Sequence, residues 1–203
     1  MNIRMERPED YFESETLTRE AFWNVYRPGC LEHYVLHVLR RDPCFVPELT
    51  LVAEEDGHIV GQITAATGTL TRPNGEQTPL LLFGPLGVLP DQQGRGIGSA
   101  LLTAALERAQ AQGFHAAVLT GAPAYYRRFG FETATLRGLH YEGLDPAEEC
   151  PFFMVRVLDE TRAAELQGVY ADPACYFADG AEVDAFDRAF PPKVKETRPG
   201  QLG

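Results

Sequence analysis

Leu80-Leu81-Leu82-Phe83-Gly84-Pro85-Leu86-Gly87-Val88-Leu89-Pro90-Asp91-Gln92-Gln93-Gly94-Arg95-Gly96-Ile97-Gly98-Ser99 begins as an apolar run and ends in a glycine cluster. The run from Leu80 to Val88 is too short and too interrupted by Gly and Pro for a helix, so a buried strand is expected. From Ile97 the period changes. Ile97, Leu101 and Ala105 form one i, i+4 row and Leu102, Leu106 and Ala109 the next, which makes one apolar helix face. Gly94, Gly96 and Gly98 lie at the junction. Glycine accepts positive φ and lets another molecule approach the backbone. The N–H groups of a helix's first turn, at the positive end of its dipole, attract anions. A glycine turn feeding a helix is therefore a phosphate cradle on physical grounds, and Arg95 adds a cation to it. A tight turn whose glycines serve only packing is the alternative for a pattern this short.

The spacing is fuller than a bare Gly-x-Gly. Gln93-x-x-Gly96-x-Gly98, preceded by Leu86-Gly87-Val88-Leu89-Pro90, resembles the acetyl-coenzyme A signature (Q/R-x-x-G-x-G/A) of the GNAT superfamily of N-acetyltransferases. It is not the dinucleotide fingerprint G-x-G-x-x-G, and no P-loop Lys-Ser/Thr follows. A second motif, Tyr125-Tyr126-Arg127-Arg128-Phe129-Gly130-Phe131-Glu132, resembles the short tyrosine-containing helix and Gly-Phe strand start that follow the fifth strand in that superfamily. By that pattern Tyr126 matches the tyrosine beside the thioester sulfur. Core packing would account for the aromatics of the second motif taken alone. Two motifs in the right order at the right separation favour the functional reading. The resemblance covers roughly residues 1–157, with its motifs in 80–132.

The resemblance implies an α+β (mixed α/β) GNAT-like fold. Its central sheet is mixed, mostly antiparallel, of about six or seven strands flanked by helices, with one parallel pair around the glycine-turn helix. The chain can be laid out accordingly. A short first strand falls in Asn2 to Glu6, then helices over Tyr11–Tyr26 and Leu31–Leu39. Strands Leu49–Ala53 and Ile59–Thr64 flank Asp56-Gly57, a hairpin signal. The central strand Thr78–Val88 leads to a helix from Gly96 to Gln112-Gly113 and a strand His115–Thr120, joined by a right-handed crossover. A short helix Ala124–Phe129 follows, then a strand from Phe131 and closing strands Leu136–Tyr141 and Phe152–Val157. Residues 1–157 are expected to form the acetyltransferase domain. Residues 158–203 are expected to be an extension packed on it by aromatics, with a disordered tail beyond about Lys193.

The resemblance also assigns roles. Gln93, Gly94, Arg95, Gly96, Ile97, Gly98 and Ser99 would hold the pyrophosphate of acetyl-coenzyme A, and Leu86, Gly87 and Val88 would pair with its pantetheine arm. The N–H at or beside Val88 would face the thioester oxygen. Tyr126 is the candidate general acid, since a phenol of pKa about 10 can protonate a leaving thiolate whose thiol has about 8.5. No acid lies in Thr78 to Val88, so Glu20, Glu54, Glu55, Asp91, His37 or an ordered water must serve as base, and a water relay is preferred. The acceptor is an amine, of a small molecule or a peptide. Phe22, Trp23, Tyr26 and Tyr34 would suit an amphipathic pocket wall. The alternative to an enzyme is a catalytically inactive coenzyme A-binding module or sensor of the same fold. A nucleotide-binding αβ domain ranks last, because only one clear crossover is present.

Composition agrees. The chain has 203 residues, 44% hydrophobic and 23% charged, as in an ordinary globular domain. A net charge of −11 disfavours nucleic acid and anionic membranes and suits a cationic amine, although solubility alone is the simpler account of the charge. No stretch approaches a membrane span and the N-terminus does not read as a signal peptide, so a cytoplasmic protein is expected. Cys30, Cys44, Cys150 and Cys175 show no C-x-x-C spacing and read as free thiols, without a structural zinc or a disulfide framework. His33 and His37 stand at i, i+4, but no third ligand is evident in the sequence, so no metal is expected. A symmetric homodimer fits the family analogy.

Overall fold

Residues 1–201 are described in the computed structural model. The helical and strand periods of the sequence become β1 (Asn2–Met5), α1 (Tyr11–Phe22), α2 (Glu32–Leu39), β2 (Leu51–Glu55), β3 (His58–Thr71) and β4 (Gln77–Val88). They continue as α3 (Ile97–Ala111), β5 (Ala116–Thr120), α4 (Pro123–Tyr126), β6 (Glu132–Thr133), β7 (Leu139–Tyr141) and β8 (Phe153–Val157). Two further elements, β9 (Gly168–Ala171) and α5 (Gly180–Asp187), were not anticipated. The described strands form one nine-stranded mixed sheet rather than the six or seven expected. Helix α1 stops short of Tyr26 because Trp23 turns extended and Asn24 adopts a left-handed backbone at φ 57°.

The chain divides into two compact units. The first comprises residues 1–64, 85–105 and the C-terminal segment from Ala174. Within it the sheet order is β1-β2-β3-β4, with β1–β2 and β2–β3 antiparallel. Leu17 of α1 packs on Val52 and Ile59, with Leu89 beside them. Helix α3 approaches β3 at Gly61, where a Cβ would lie 2.7 Å from Ile97 Cγ2 and 3.0 Å from Leu101 Cδ1. Only a residue without a side chain permits that contact. Gln62, buried on β3, donates to Thr18 Oγ1 (3.0 Å) and to Pro85 O (3.3 Å), and accepts from Thr64 (2.9 Å). This network satisfies polar groups that burial would otherwise penalise, and it ties α1 to β4.

The same unit carries its C-terminal segment against α1 and α2. Phe186 stacks near His33, Tyr34 and His37, with centroids at 5.3, 5.5 and 4.5 Å. Trp23 Nε1 and Asn24 Nδ2 donate to Val194 O at 2.9 and 3.0 Å, and Asn24 Oδ1 accepts from Glu196 N–H at 3.1 Å. His33 is fully buried, and its Nε2 lies 3.1 Å from Asp187 Oδ1. Neither ring nitrogen makes a well-aligned hydrogen bond, so the carboxylate acts on the ring as a nearby charge. Burial pushes the imidazole down to about 4, and the Asp187 carboxylate only partly opposes it. The folded state therefore holds His33 neutral between about pH 4 and 6.5, where an unfolded histidine takes up a proton. Stability should fall on acidification across this window by on the order of 2–3 kcal/mol. Half-buried His115, in the other unit, is lowered by burial too and acts in the same direction. Urea unfolding at pH 7 and pH 4.5 checks this. A His33→Gln chain should lose much of the pH dependence, and equal slopes for the two chains would refute the assignment.

The second unit comprises residues 65–84 and 106–173. Its sheet order is β9-β3-β4-β5-β8-β6, with β7 paired to β9. Strand β4 runs parallel to β5 at Leu81↔Ala117 and Leu82↔Val118, as the crossover through α3 requires. A second parallel pair, β7–β9, adds to the single one expected. The long intervening chain, which includes β8, supplies the connection that a parallel pair needs. Strand β7 is thus not the partner of β8; β6 takes that place, at Glu132↔Val155 and Thr133↔Met154. Tyr170 of β9 stacks on Phe153 at 5.3 Å and fills the space over Gly68, where a Cβ would meet its ring.

Candidate active site

The glycine turn lies wholly in the first unit. Strand β4 takes a positive φ of 144° at Gly84 and runs on to Val88; Leu89 N–H then donates to Val60 O at 3.1 Å. A single helical turn, Pro90–Gln92, leads into Gln93, whose side chain donates to Val88 O at 3.2 Å. Gly94 and Gly96 take φ of 78° and 84°, and no atom lies within 4 Å of a Cβ built on either. What the turn demands there is the backbone angle, not the space. Gln93, Gly94, Arg95 and Gly96 are exposed, whereas Ile97 is buried and anchors the start of α3. The first α-helical bond runs from Ala100 N–H to Gly96 O at 3.0 Å, so the N–H groups ahead of it belong to the helix's open end. Arg95 is held by Glu55 at 3.0 Å and by Gln92.

Leu86 and Val88 are half-buried and Gly87 is buried between them. A Cβ on Gly87 would lie 3.2 Å from Leu17 Cδ2 and 3.5 Å from both Ala21 Cβ and Phe22 Cε2, so α1 packs directly over this backbone. Of the four aromatics expected to wall a pocket, Phe22 takes that position. Trp23 and Tyr34 instead hold the C-terminal segment, Tyr34 by donating to Glu182 at 3.2 Å. Tyr26 is exposed, 6.0 Å from Phe22 between centroids.

Tyr126 lies in the second unit, in the last residue of α4. Pro123 opens that helix, and Gly130 closes the following turn at φ 77°. The half-buried ring stands edge-on to Tyr125 at 4.9 Å and to Phe131 at 6.0 Å. It lies against the backbone of Gly121, where a Cβ would sit 2.3 Å from Tyr126 Cε2. Arg128 stacks over Tyr125 at 4.2 Å.

The base candidates are already engaged. Lys193 pairs with Glu20 at 2.6 Å, Arg4 with Glu54 at 2.7 Å and Arg95 with Glu55. Asp91 accepts from Gln92 at 3.2 Å, and His37 meets Glu15 at 2.9 Å. His33 and His37 face different carboxylates and share no metal position.

A mixed sheet whose central strand runs into a glycine turn and the open end of a helix presents an anion-binding architecture. The Acetyltransferase (GNAT) domain family matches residues 47–133. A GNAT family acetyltransferase from Brucella melitensis, solved in complex with acetyl-CoA, is 30% identical and is covered over 97% of its length by 86% of this chain, with a TM-score of 0.68. A GNAT family N-acetyltransferase (YhbS) from Escherichia coli, in complex with CoA, is 27% identical over 88% of this chain and 93% of that one, with a TM-score of 0.74. Eis1 from Mycobacterium abscessus shares the fold at 21% identity and a TM-score of 0.55, over 96% of this chain and 50% of that one. No curated protein sequence matches. The chain belongs to the GNAT family of N-acetyltransferases. It is an enzyme that transfers an acetyl group from acetyl-CoA to an amine.

Proposed function

We propose that Gln93 to Ser99 bind the pyrophosphate of acetyl-CoA, that Leu86, Gly87 and Val88 carry its pantetheine arm, and that Tyr126 is the general acid. The observation that carries the reading is the turn itself, with two left-handed glycines exposed at the head of a helix anchored by buried Ile97 and Leu101. Its N–H groups and the helix dipole offer an anion site that needs no rearrangement. The acceptor amine attacks the thioester carbon, the C–N bond forms and the C–S bond breaks, and Tyr126 gives its proton to the leaving thiolate. The amine's own proton leaves through water. Engagement of Glu20, Glu54 and Glu55 in ion pairs, and of His37 in a contact with Glu15, supports a water relay over any one of them as base.

The acceptor in this reading is a primary amine that is cationic in solution, drawn by a chain of net charge −11. Neither nucleic acid nor a membrane is a partner in it; no described helix is long and apolar enough to cross a membrane. A cytoplasmic location belongs to the same reading, which the reading of the four cysteines as thiols supports. Residues 1–157 serve as the acetyltransferase domain and 158–203 as its C-terminal extension.

Gly96→Val tests the cradle. A β-branched residue forced to φ 84° costs about 1–2 kcal/mol and turns the N–H groups away. Coenzyme A affinity, measured by calorimetry on a chain verified as folded, should weaken about tenfold or more. Unchanged affinity would remove the phosphate role from this turn.

A further inference from the structure

Two thiols and a carboxylate from distant parts of the sequence meet just beyond the end of α2. Asp42 and Cys44 lie in the turn after that helix, where Asp42 N–H donates to Leu39 O at 2.9 Å. Cys175 lies in the single helical turn Ala174–Tyr176 of the C-terminal segment. Cys44 Sγ is 4.0 Å from Cys175 Sγ, and one donor atom from each of the three residues falls within 4.8 Å of the other two. The Asp42 carboxylate accepts the Cys44 N–H at 2.9 Å, which fixes it over the turn that carries the first thiol. All three residues are half-buried, shielded from bulk water yet reachable by a small ion. The whole cluster belongs to the first unit.

We propose that Asp42, Cys44 and Cys175 form a zinc-binding site that clips the C-terminal segment to the end of α2. The separation of the two thiols, close enough for an S–H···S contact, also suits shared coordination of an ion. A tetrahedral zinc with Zn–S bonds of about 2.3 Å holds its sulfurs about 3.8 Å apart. The thiols already stand at nearly that separation. A disulfide would require the sulfurs to close to about 2.05 Å. Two thiolates with one carboxylate form a borderline donor set that suits Zn2+ better than the hard cations Mg2+ or Ca2+. Binding replaces the two thiol protons, which pass to solvent, and the ion neutralises the charge that develops. Three protein ligands leave one position of the tetrahedron for water. Cys30 and Cys150 are buried and do not join the cluster, so the site accounts for the two cysteines that remain.

The site is independent of the acetyl-transfer chemistry and can be tested without it. The reduced, metal-stripped full chain is titrated with Co2+ and then with Zn2+. The expected result is one Co2+ per chain, a thiolate-to-cobalt charge-transfer band in the near ultraviolet, and loss of that band as Zn2+ displaces the probe. Cys44→Ser and Cys175→Ser, each shown to be folded by circular dichroism, should lose the band. Asp42→Asn keeps the oxygen that accepts the Cys44 N–H and should retain the band while binding about tenfold or more weakly. Zn2+ should raise the thermal midpoint of the wild-type chain and leave that of Cys175→Ser unchanged. Absence of the band in the wild-type chain overturns the proposal, as does a band that survives in both cysteine variants. Recovery of a Cys44–Cys175 disulfide from protein handled without oxidant overturns it as well.

Discussion

Tyr126→Phe should lower kcat by about 100- to 10,000-fold and leave the affinity for coenzyme A unchanged. The substitution targets the hydroxyl, because the ring has packing contacts of its own. Gly121 leaves room for the ring against the backbone, while Tyr125 and Phe131 fix it edge-on. Phenylalanine keeps each of those contacts. In the proposed role, what it removes is the proton that the leaving thiolate needs as the C–S bond breaks. Without that proton the thiolate must leave unprotonated or draw on water, a less well-placed acid. Turnover can be followed by release of free thiol and binding by calorimetry. Because catalysis is differential stabilisation of the transition state, a pure acid role predicts a loss in kcat without a matching loss in binding. A kcat close to wild type would exclude Tyr126 as the acid, and a parallel loss of coenzyme affinity would assign it to binding instead.

The turn was legible because its signals are local. The period changes within a few residues between Val88 and Ile97, and the angles at Gly94 and Gly96 are those that only glycine adopts readily. The crossover to β5 follows from chain direction and handedness, both visible over a short span. What escaped the sequence is what depends on distant partners. Strand β9 is four residues long and is stabilised by pairing Val169 with Thr71 and Tyr170 with Leu70. Nothing local distinguishes it from a loop. Helix α1 shows why amphipathic spacing misplaced parts of the first unit. Arg19 and Glu15 are buried, where a helical wheel would set them in solvent, because Asp187 and Arg40 supply their partners. The meeting of Cys44 and Cys175 was hidden for the same reason: they stand 131 residues apart, and no spacing rule joins them.

Asp187→Ala should destabilise the protein by about 3–5 kcal/mol, the cost of leaving a buried charge without its partner. Arg19 is 1% exposed, and its Nε and Nη2 reach the two Asp187 oxygens at 2.6 and 3.0 Å. Its guanidinium lies over Trp23 at 4.2 Å and Phe190 at 5.5 Å, so aromatic faces rather than water surround it. Among the described residues a second carboxylate, Glu20, lies 4.0 Å from it and is already bound to Lys193. The carboxylate itself is tuned to the pair. Burial alone would raise its pKa, but hydrogen bonds and charge from Arg19, with His33 and Lys195 beside it, hold it below the usual range. Removing Arg19 as well should recover much of the loss. In Arg19→Met/Asp187→Ala an apolar side chain of similar length occupies the aromatic slot and no charge remains buried, so the double variant should be more stable than Asp187→Ala alone. Chemical unfolding of the two single variants and the double one measures the coupling. A double variant no more stable than Asp187→Ala would mean that the aspartate acts through packing rather than charge. The consequence reaches the proposed acetyl-CoA site through α1. That helix carries Arg19 on the face that holds the C-terminal segment and Leu17, Ala21 and Phe22 on the face that covers Gly87. Loosening the first face should therefore weaken coenzyme binding at the second, and a Kd unchanged in Asp187→Ala would show the two faces to be independent.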